Sequence, residues 1–184
     1  MRPINFEETN MKRVLSLTAI AAATLGVILL PPFHSLTSFA QTENSQAVDP
    51  RVENALDAAD LKYEVTDSGS VRVVMRFEGE RIQVANVQSR THTVRDMEIR
   101  EISSAAYISQ GPLPAEMANQ LLVTNSGMTL GSWEVVTLPN DDRLLLFTVR
   151  IKADSRPEDL HTAVLVAAST ADRLEAELSD EDYF

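Results

Sequence analysis

The amino-acid sequence predicts an α+β fold, in which a largely antiparallel sheet carries helices packed on one face. Two pairs of strand patterns, each joined by a tight turn, indicate the sheet: Val71–Phe77 with Ile82–Gln88, and Trp133–Leu138 with Arg143–Ile151. Segments with helical spacing of apolar residues lie before, between and after these pairs. Tight turns join antiparallel strands directly, whereas parallel strands need a long crossover. The order helix, three or four strands, helix, hairpin, helix therefore favours the α+β class.

Residues 1–40 have the pattern of a secretory signal peptide. Met11-Lys12-Arg13 gives a basic start, Val14–Leu30 is an uncharged run, and Ser38-Phe39-Ala40 places small residues where a signal peptidase needs them. We expect translation from Met11, cleavage after Ala40, and a periplasmic or secreted protein. The alternative is an uncleaved membrane anchor, because a run of about 17 residues is at the lower limit for crossing a bilayer.

The exported part divides into a linker at 41–48, a domain at 49–178 and an acidic tail at 179–184, which we expect to be frayed. Asp49-Pro50 begins the first helix, because Asp caps free backbone N–H groups and Pro suits the first helical position. One apolar stripe follows at helical spacing: Val52, Leu56 and Ala59.

The first hairpin turns at Glu78-Gly79-Glu80. In the stretch Thr91–Ile108, Met97 and Ile99 alternate with charged residues, but Ile102 breaks the alternation. This stretch therefore predicts one strand with a bulge.

The second helix is predicted to begin after Gly111-Pro112-Leu113-Pro114 and to stop at Asn125-Ser126-Gly127, where Gly can adopt the left-handed conformation. Its expected inner face consists of Met117, Leu121 and Leu122.

The second hairpin turns at Pro139-Asn140-Asp141-Asp142, and its apolar strand Leu144–Val149 is expected to be covered on both faces. Ser155 and Glu158 form a capping-box pattern for the last helix. That helix is predicted to lie on the Leu144–Val149 strand through a six-residue stripe: Leu160, Val164, Ala167, Ala171, Leu174 and Leu178.

Composition excludes several kinds of function. The chain has 27 acidic and 16 basic residues, a formal net charge of −11, so its overall field repels nucleic acid. It has no Cys, which excludes disulfides, thiolate metal sites and a Cys nucleophile. Phosphate-loop, serine-hydrolase and zinc-helix motifs are also missing from the sequence. We therefore expect no enzymatic activity and no cofactor.

Two sets of residues are candidates for a site. His92, Asp96 and Glu98 could supply metal ligands, but on a strand their spacing is more typical of a solvated polar face. Trp133 is the only Trp and begins a strand. It could anchor a bound peptide, although core burial is the more common role of Trp.

The chain resembles the YbjN-like family in element order and in three patches, which together cover roughly residues 49–178. The patches are Pro114-Ala115-Glu116 through Leu121-Leu122 to Asn125, Trp133-Glu134-Val135 with Asp142-Arg143-Leu144, and Pro157-Glu158-Asp159-Leu160 with Ala171-Asp172-Arg173. The resemblance implies a fold similar to type III secretion chaperones, frequent dimers, binding of protein segments and no catalytic residues.

The leading hypothesis is thus an exported, non-enzymatic module that binds a protein or peptide. The alternatives are a metal-dependent envelope enzyme using His92, Asp96 and Glu98, and a purely structural homodimer.

Overall fold

The computed structural model describes residues 47–179 and 182–184, which belong to one compact unit, Ser45–Phe184. The signal peptide expected at 1–40 and the linker residues 41–46 lie outside the described residues. In chain order the elements are α1 (Pro50–Ala58), β1 (Tyr63–Val65), β2 (Val71–Arg76), β3 (Ile82–Val94), β4 (Met97–Ser109), α2 (Ala115–Gly127), β5 (Ser132–Thr137), β6 (Arg143–Lys152) and α3 (Pro157–Leu178). The α+β class is confirmed.

The six strands form one antiparallel sheet in the order β1-β2-β3-β4-β6-β5. Strands that follow each other in sequence pair with each other, except that β4 pairs with β6 and leaves β5 on the outside. Strand β1, which the sequence analysis did not predict, forms the opposite edge. Strand β5 is therefore an edge strand, which is decisive for the candidate site.

Helix α3 covers one face of the sheet, and α1 packs beside it. The predicted stripe of α3 faces this core: Leu160, Val164, Ala167 and Ala171 are buried, and Leu174 and Leu178 pack at its margin. Opposite them lie the buried side chains of β6, Leu145, Phe147 and Val149. Leu144 and Leu146 point the other way and are only half-buried, so the expectation that β6 is covered on both faces is wrong.

The stretch predicted as one bulged strand is a hairpin. Strand β3 continues to Val94, the chain turns at Arg95 and Asp96, and β4 begins at Met97. The register shifts between Val87 and Thr91, so the bulge lies in β3. A second shift lies in β4, between Ala105 and Tyr107.

In the sequence, the alternation of inward and outward residues breaks at Ile102 if the charged Arg100 is taken to face outward. In the structure Arg100 faces inward, like Ile102. Its side chain is 2% exposed, and it donates hydrogen bonds to the carbonyls of Gln88 and Ser89, in the bulge, at 2.6 and 3.1 Å. It also donates to the Asp49 carboxylate at 2.6 Å. A charged residue is thus buried beside Ile102, and the inward alternation is unbroken.

One helix end is as predicted and two are not. The Asp49 carboxylate caps α1 as expected, because it accepts from the backbone N–H of Arg51. Helix α3, however, has Arg156 as its N-cap without a side-chain cap bond, and the Ser155 hydroxyl donates to the Lys152 carbonyl instead. The prediction of a capping box at Ser155 and Glu158 is therefore wrong. Gly127 ends α2 without adopting a positive φ.

Part of the acidic tail is held against β3. The backbone N–H of Ile82 donates to the Asp182 carboxylate at 2.9 Å, and that of Val84 donates to the Phe184 carbonyl at 2.8 Å. For residues 182–184 the expectation of a frayed tail is wrong.

Candidate binding groove

An apolar groove of about 190 Å³ lies between α2 and the edge strand β5. It is lined by residues of the segment before α2, of α2 itself, of β5 and of β6: Leu113, Ala118, Leu121, Leu122, Asn125, Trp133, Val135 and Leu145. We refer to this set of residues as the α2–β5 groove.

Helix α2 lies at the margin of the sheet and not on its face. Pro112 and Pro114 resist helix formation just before it, so the helix begins at Ala115. It buries only Met117 and Leu121. Leu122 was also predicted to face inward, but this side chain is 67% exposed. That prediction is wrong because a helix beside an edge strand can bury only a narrow stripe.

Trp133 forms the floor of the groove. It is 8% exposed and packs edge-on against Phe147, with ring centroids 5.1 Å apart. Gly131 makes room for this pair: a Cβ at Gly131, where φ is +83°, would lie 2.5 Å from Cε1 of Phe147. Trp133 is thus a core residue that also borders the groove, and its contact with a partner stays a prediction.

Asn125 connects the two walls. Its side-chain oxygen accepts from the backbone N–H of Trp133 at 2.7 Å, and its side-chain nitrogen donates to the Trp133 carbonyl at 3.1 Å. One amide side chain thus satisfies both outward backbone groups of Trp133, as a neighbouring strand would.

The same bonds reveal the orientation of the rest of β5. Alternate residues of a strand direct their N–H and C=O groups to the same side. Val135 therefore directs its backbone groups to the open edge, next to the groove, whereas Val136 directs its groups to β6. The Val135 side chain is also 48% exposed. An extended segment lying along Val135 would find backbone partners and an apolar surface together.

The opposite face of β5 carries an ion-pair network beside Val136, which is 43% exposed. Arg150 on β6 pairs with Glu134 on β5, and also donates to Glu101 on β4 at 2.8 Å. The hydrogen bond from Arg150 lowers the pKa of Glu134, and the same pair raises the pKa of Arg150. These bonds occupy the charged groups of that face. Val136 is also exposed there, but Val135 combines an exposed apolar side chain with backbone groups at the open edge.

The three candidate metal ligands lie at the β3–β4 turn. His92 and Asp96 are exposed, whereas Glu98 accepts two hydrogen bonds from Arg51, at 2.7 and 2.8 Å, and one from Thr91 at 2.6 Å. The Arg51 bonds are the main reason why the pKa of Glu98 falls to about 2. Within residues 47–179 and 182–184, no group of three or more His, Asp and Glu side chains could hold a metal ion.

Two residues of the groove were missed by sequence reasoning. Asn125 was interpreted as part of a helix stop and Val135 as a strand residue, and both also belong to the patches of the family resemblance, but neither was proposed as a site residue. Spacing alone could not indicate that the end of α2 meets β5, because that contact depends on β5 being an edge strand. Gly131 marks a close approach to Phe147 on β6, but it does not indicate where α2 lies.

In the part of the chain that the structure describes, no helix is both long enough and apolar enough to cross a membrane. No protein-family model matches the chain, and no curated protein matches it.

Proposed function

We propose that this protein is an exported, non-enzymatic binding module of YbjN-like type that holds an extended protein segment in the α2–β5 groove. The observation that carries the proposal is the open edge of β5 at Val135, directly beside an apolar groove. Edge strands with free backbone groups accept extended peptides by strand addition, and neighbouring pockets then select side chains.

The size of the groove supports a peptide over a small-molecule substrate or cofactor. Its volume of about 190 Å³ lies below the range of roughly 300–1,000 Å³ that is typical of small-molecule sites. Its lining is almost wholly apolar, and Asn125 already uses its side-chain amide on Trp133. A space of this kind suits one or two apolar side chains of a bound segment.

Selection of short random peptides on the full chain tests the proposal. Because Trp133 is the only Trp, binding of a selected peptide can be followed by its fluorescence. Leu122→Glu should weaken binding about tenfold or more, since losing one large apolar contact costs about 1.5–3 kcal/mol and about 1.4 kcal/mol is tenfold. The matched control is Leu165→Glu, which changes an exposed Leu of α3 outside the groove and should leave binding unchanged.

A proline pair tests whether the backbone edge takes part. Val135→Pro removes an N–H that faces the open edge and should abolish binding with little loss of stability. Val136→Pro removes an N–H directed at β6 and should instead lower the melting temperature. Peptides that bind equally well to wild type, Leu122→Glu and Val135→Pro would contradict the proposal.

The homodimer alternative predicts a different result from the same variants. If two copies pair through their β5 edges, size-exclusion chromatography should show a dimer that Val135→Pro converts to a monomer. In that case no selected peptide would displace the second copy from the groove.

A further inference from the structure

The hairpin of β3 and β4 extends beyond the rest of the sheet. Strand β2 pairs with β3 only as far as Val87, and β6 pairs with β4 only from Ile99 onwards. Beyond these points the two strands pair only with each other, up to the turn between Val94 and Met97. We call residues 90–98 the β3–β4 arm.

The arm is fixed to the domain at its base. An isolated two-stranded hairpin is only marginally stable in water. Here, however, Glu98 accepts two hydrogen bonds from Arg51 of α1 and one from Thr91, across the hairpin. The buried Arg100 adds bonds to two carbonyls of β3. The domain therefore presents the tip of the arm in one defined position.

The tip of the arm exposes two apolar side chains. Val94 and Met97 lie directly opposite each other, and they are 57% and 39% exposed. Among the strands that the structure describes, Val94 is the most exposed of the large apolar residues. Neither residue belongs to the hydrophobic core or packs against it. The pair is therefore available for contact with another surface.

Cations without carboxylate partners flank this apolar pair. Arg95 occupies the turn and Arg90 precedes the tip on β3, and both are exposed. In the part of the chain that the structure describes, neither forms an ion pair. The carboxylates of the arm are Asp96, in the turn, and Glu98, which is paired with Arg51. At physiological ionic strength charges are screened beyond about 8 Å. A surface that touches the tip is therefore exposed mainly to the arm's own positive charge, although the whole chain is acidic.

The backbone at Arg95 gives an independent indication that its side chain has a role. Its φ is +58°, in the left-handed region that is unfavourable for residues other than Gly, Asn and Asp. A strained position that carries a long cation is a reason to infer a contact made by that side chain.

A projecting tip with apolar side chains and flanking arginines suits the boundary of a lipid bilayer. Apolar side chains there enter the acyl region, and the long stem of Arg lets its guanidinium stay at the phosphate groups. A flat surface also meets the tip before it meets the acidic body of the domain. We propose that the β3–β4 arm inserts Val94 and Met97 into the surface of an anionic lipid bilayer, where Arg90 and Arg95 bind phosphate groups. This proposal does not depend on the α2–β5 groove.

Co-sedimentation with large unilamellar vesicles tests the proposal. The protein used is residues 41–184, because they contain the whole compact unit and omit the apolar run 14–30, which would itself bind lipid. It should bind vesicles of phosphatidylglycerol and phosphatidylcholine at least tenfold more tightly than vesicles of phosphatidylcholine alone. Added salt should weaken this binding.

Two variants separate the apolar contribution from the charged one. The double variant Val94→Ser, Met97→Ser should weaken binding at least tenfold, whereas Val65→Ser, at an exposed position of β1, should not. Arg95→Gly should weaken binding about fivefold, the factor that corresponds to one basic residue near an anionic surface. Lys62→Gly removes the same charge at an exposed position outside the arm and should bind like wild type.

Thermal melts of the same proteins exclude a purely structural role of Arg95. Because Gly suits a positive φ, Arg95→Gly should melt at or above the temperature of wild type while it binds vesicles more weakly. If it melts lower, Arg95→Asn gives the same comparison, since Asn also tolerates this conformation. No binding to anionic vesicles, equal binding to both kinds of vesicle, or unchanged binding of the double Ser variant would overturn the proposal.

Discussion

Replacing Asp49 by Asn measures how strongly the buried Arg100 depends on its carboxylate partner. The two oxygens of Asp49 have different main roles: Oδ1 accepts from the backbone N–H of Arg51 and caps α1, and Oδ2 accepts from Arg100 at 2.6 Å. The Arg51 guanidinium also donates to both oxygens. Asn is an equally good N-cap. However, Asp49 uses one oxygen for each role, and Asn would place an NH2 donor against either the Arg51 N–H or the Arg100 guanidinium.

The expected cost follows from the surroundings of Arg100. Breaking a buried ion pair by removing one partner costs about 3–5 kcal/mol, because a buried charge is left uncompensated. Arg100 keeps its bonds to the carbonyls of Gln88 and Ser89, and the Asp49 side chain is partly accessible to water. We therefore expect the lower end of that range, about 3 kcal/mol, which corresponds to a fall in Tm of about 10 °C for a domain of this size.

Urea denaturation and thermal melts of four proteins measure this effect: wild type, Asp49→Asn, Arg100→Gln and the double variant. Once Arg100→Gln has removed the buried cation, the additional cost of Asp49→Asn should shrink to about 1 kcal/mol or less. Arg51→Gln is the surface control, because the exposed pairs of Arg51 contribute about 0–1 kcal/mol. Additive costs in the double variant would show that Arg100 does not depend on the Asp49 carboxylate.

Three further predictions concern stability. Gly131→Ala should lower the free energy of unfolding, measured by urea denaturation, by about 2–4 kcal/mol, because its Cβ would clash with Phe147. The control is Gly79→Ala, which has a similar φ and open space around it and should cost only about 1–2 kcal/mol. Ala167→Glu should lower the free energy of unfolding by more than about 3 kcal/mol, because it buries a charge against the sheet. Leu165→Glu, at an exposed position, should cost little. A folded, stable Ala167→Glu monomer would mean that the stripe of α3 is a dimer seam. The stabilising contribution of Glu98 should be complete above its ordinary pKa of 4.5 and should be lost as the pH falls through about 2; acid melts of Glu98→Gln should therefore depend less on pH over this interval.

The parts of the fold that depend on local pattern could be predicted from the sequence. The hairpins β2–β3 and β5–β6, all three helices and the buried stripe of α3 follow from periodicity and turn residues, which act over a few positions. The inward Arg100 could not be predicted, because it requires a bulge in β3 and a carboxylate 51 positions away. Leu122 was misplaced for a similar reason, since its exposure depends on where α2 lies relative to the sheet.

The candidate site was predictable only in part. Trp133 was singled out because it is the only Trp, and it does line the groove. Neither its hydrogen bonds to Asn125 nor the open edge at Val135 could be inferred, because both depend on the strand order. A sequence in which β4 paired with β5 would have the same local signals and would hide that edge.

The strand order also has a consequence for the time course of folding. Neighbouring strands that a short turn connects can pair early, because closing a short loop costs little chain entropy. The pairing of β4 with β6 must instead close a loop that contains α2 and β5. Full docking of α3 requires this pairing, because α3 packs on both strands. We infer that this step limits the folding rate. Until it is complete, the chain exposes the inward side chains of β4, so the interval before β6 docks is when the molecule is most vulnerable to aggregation.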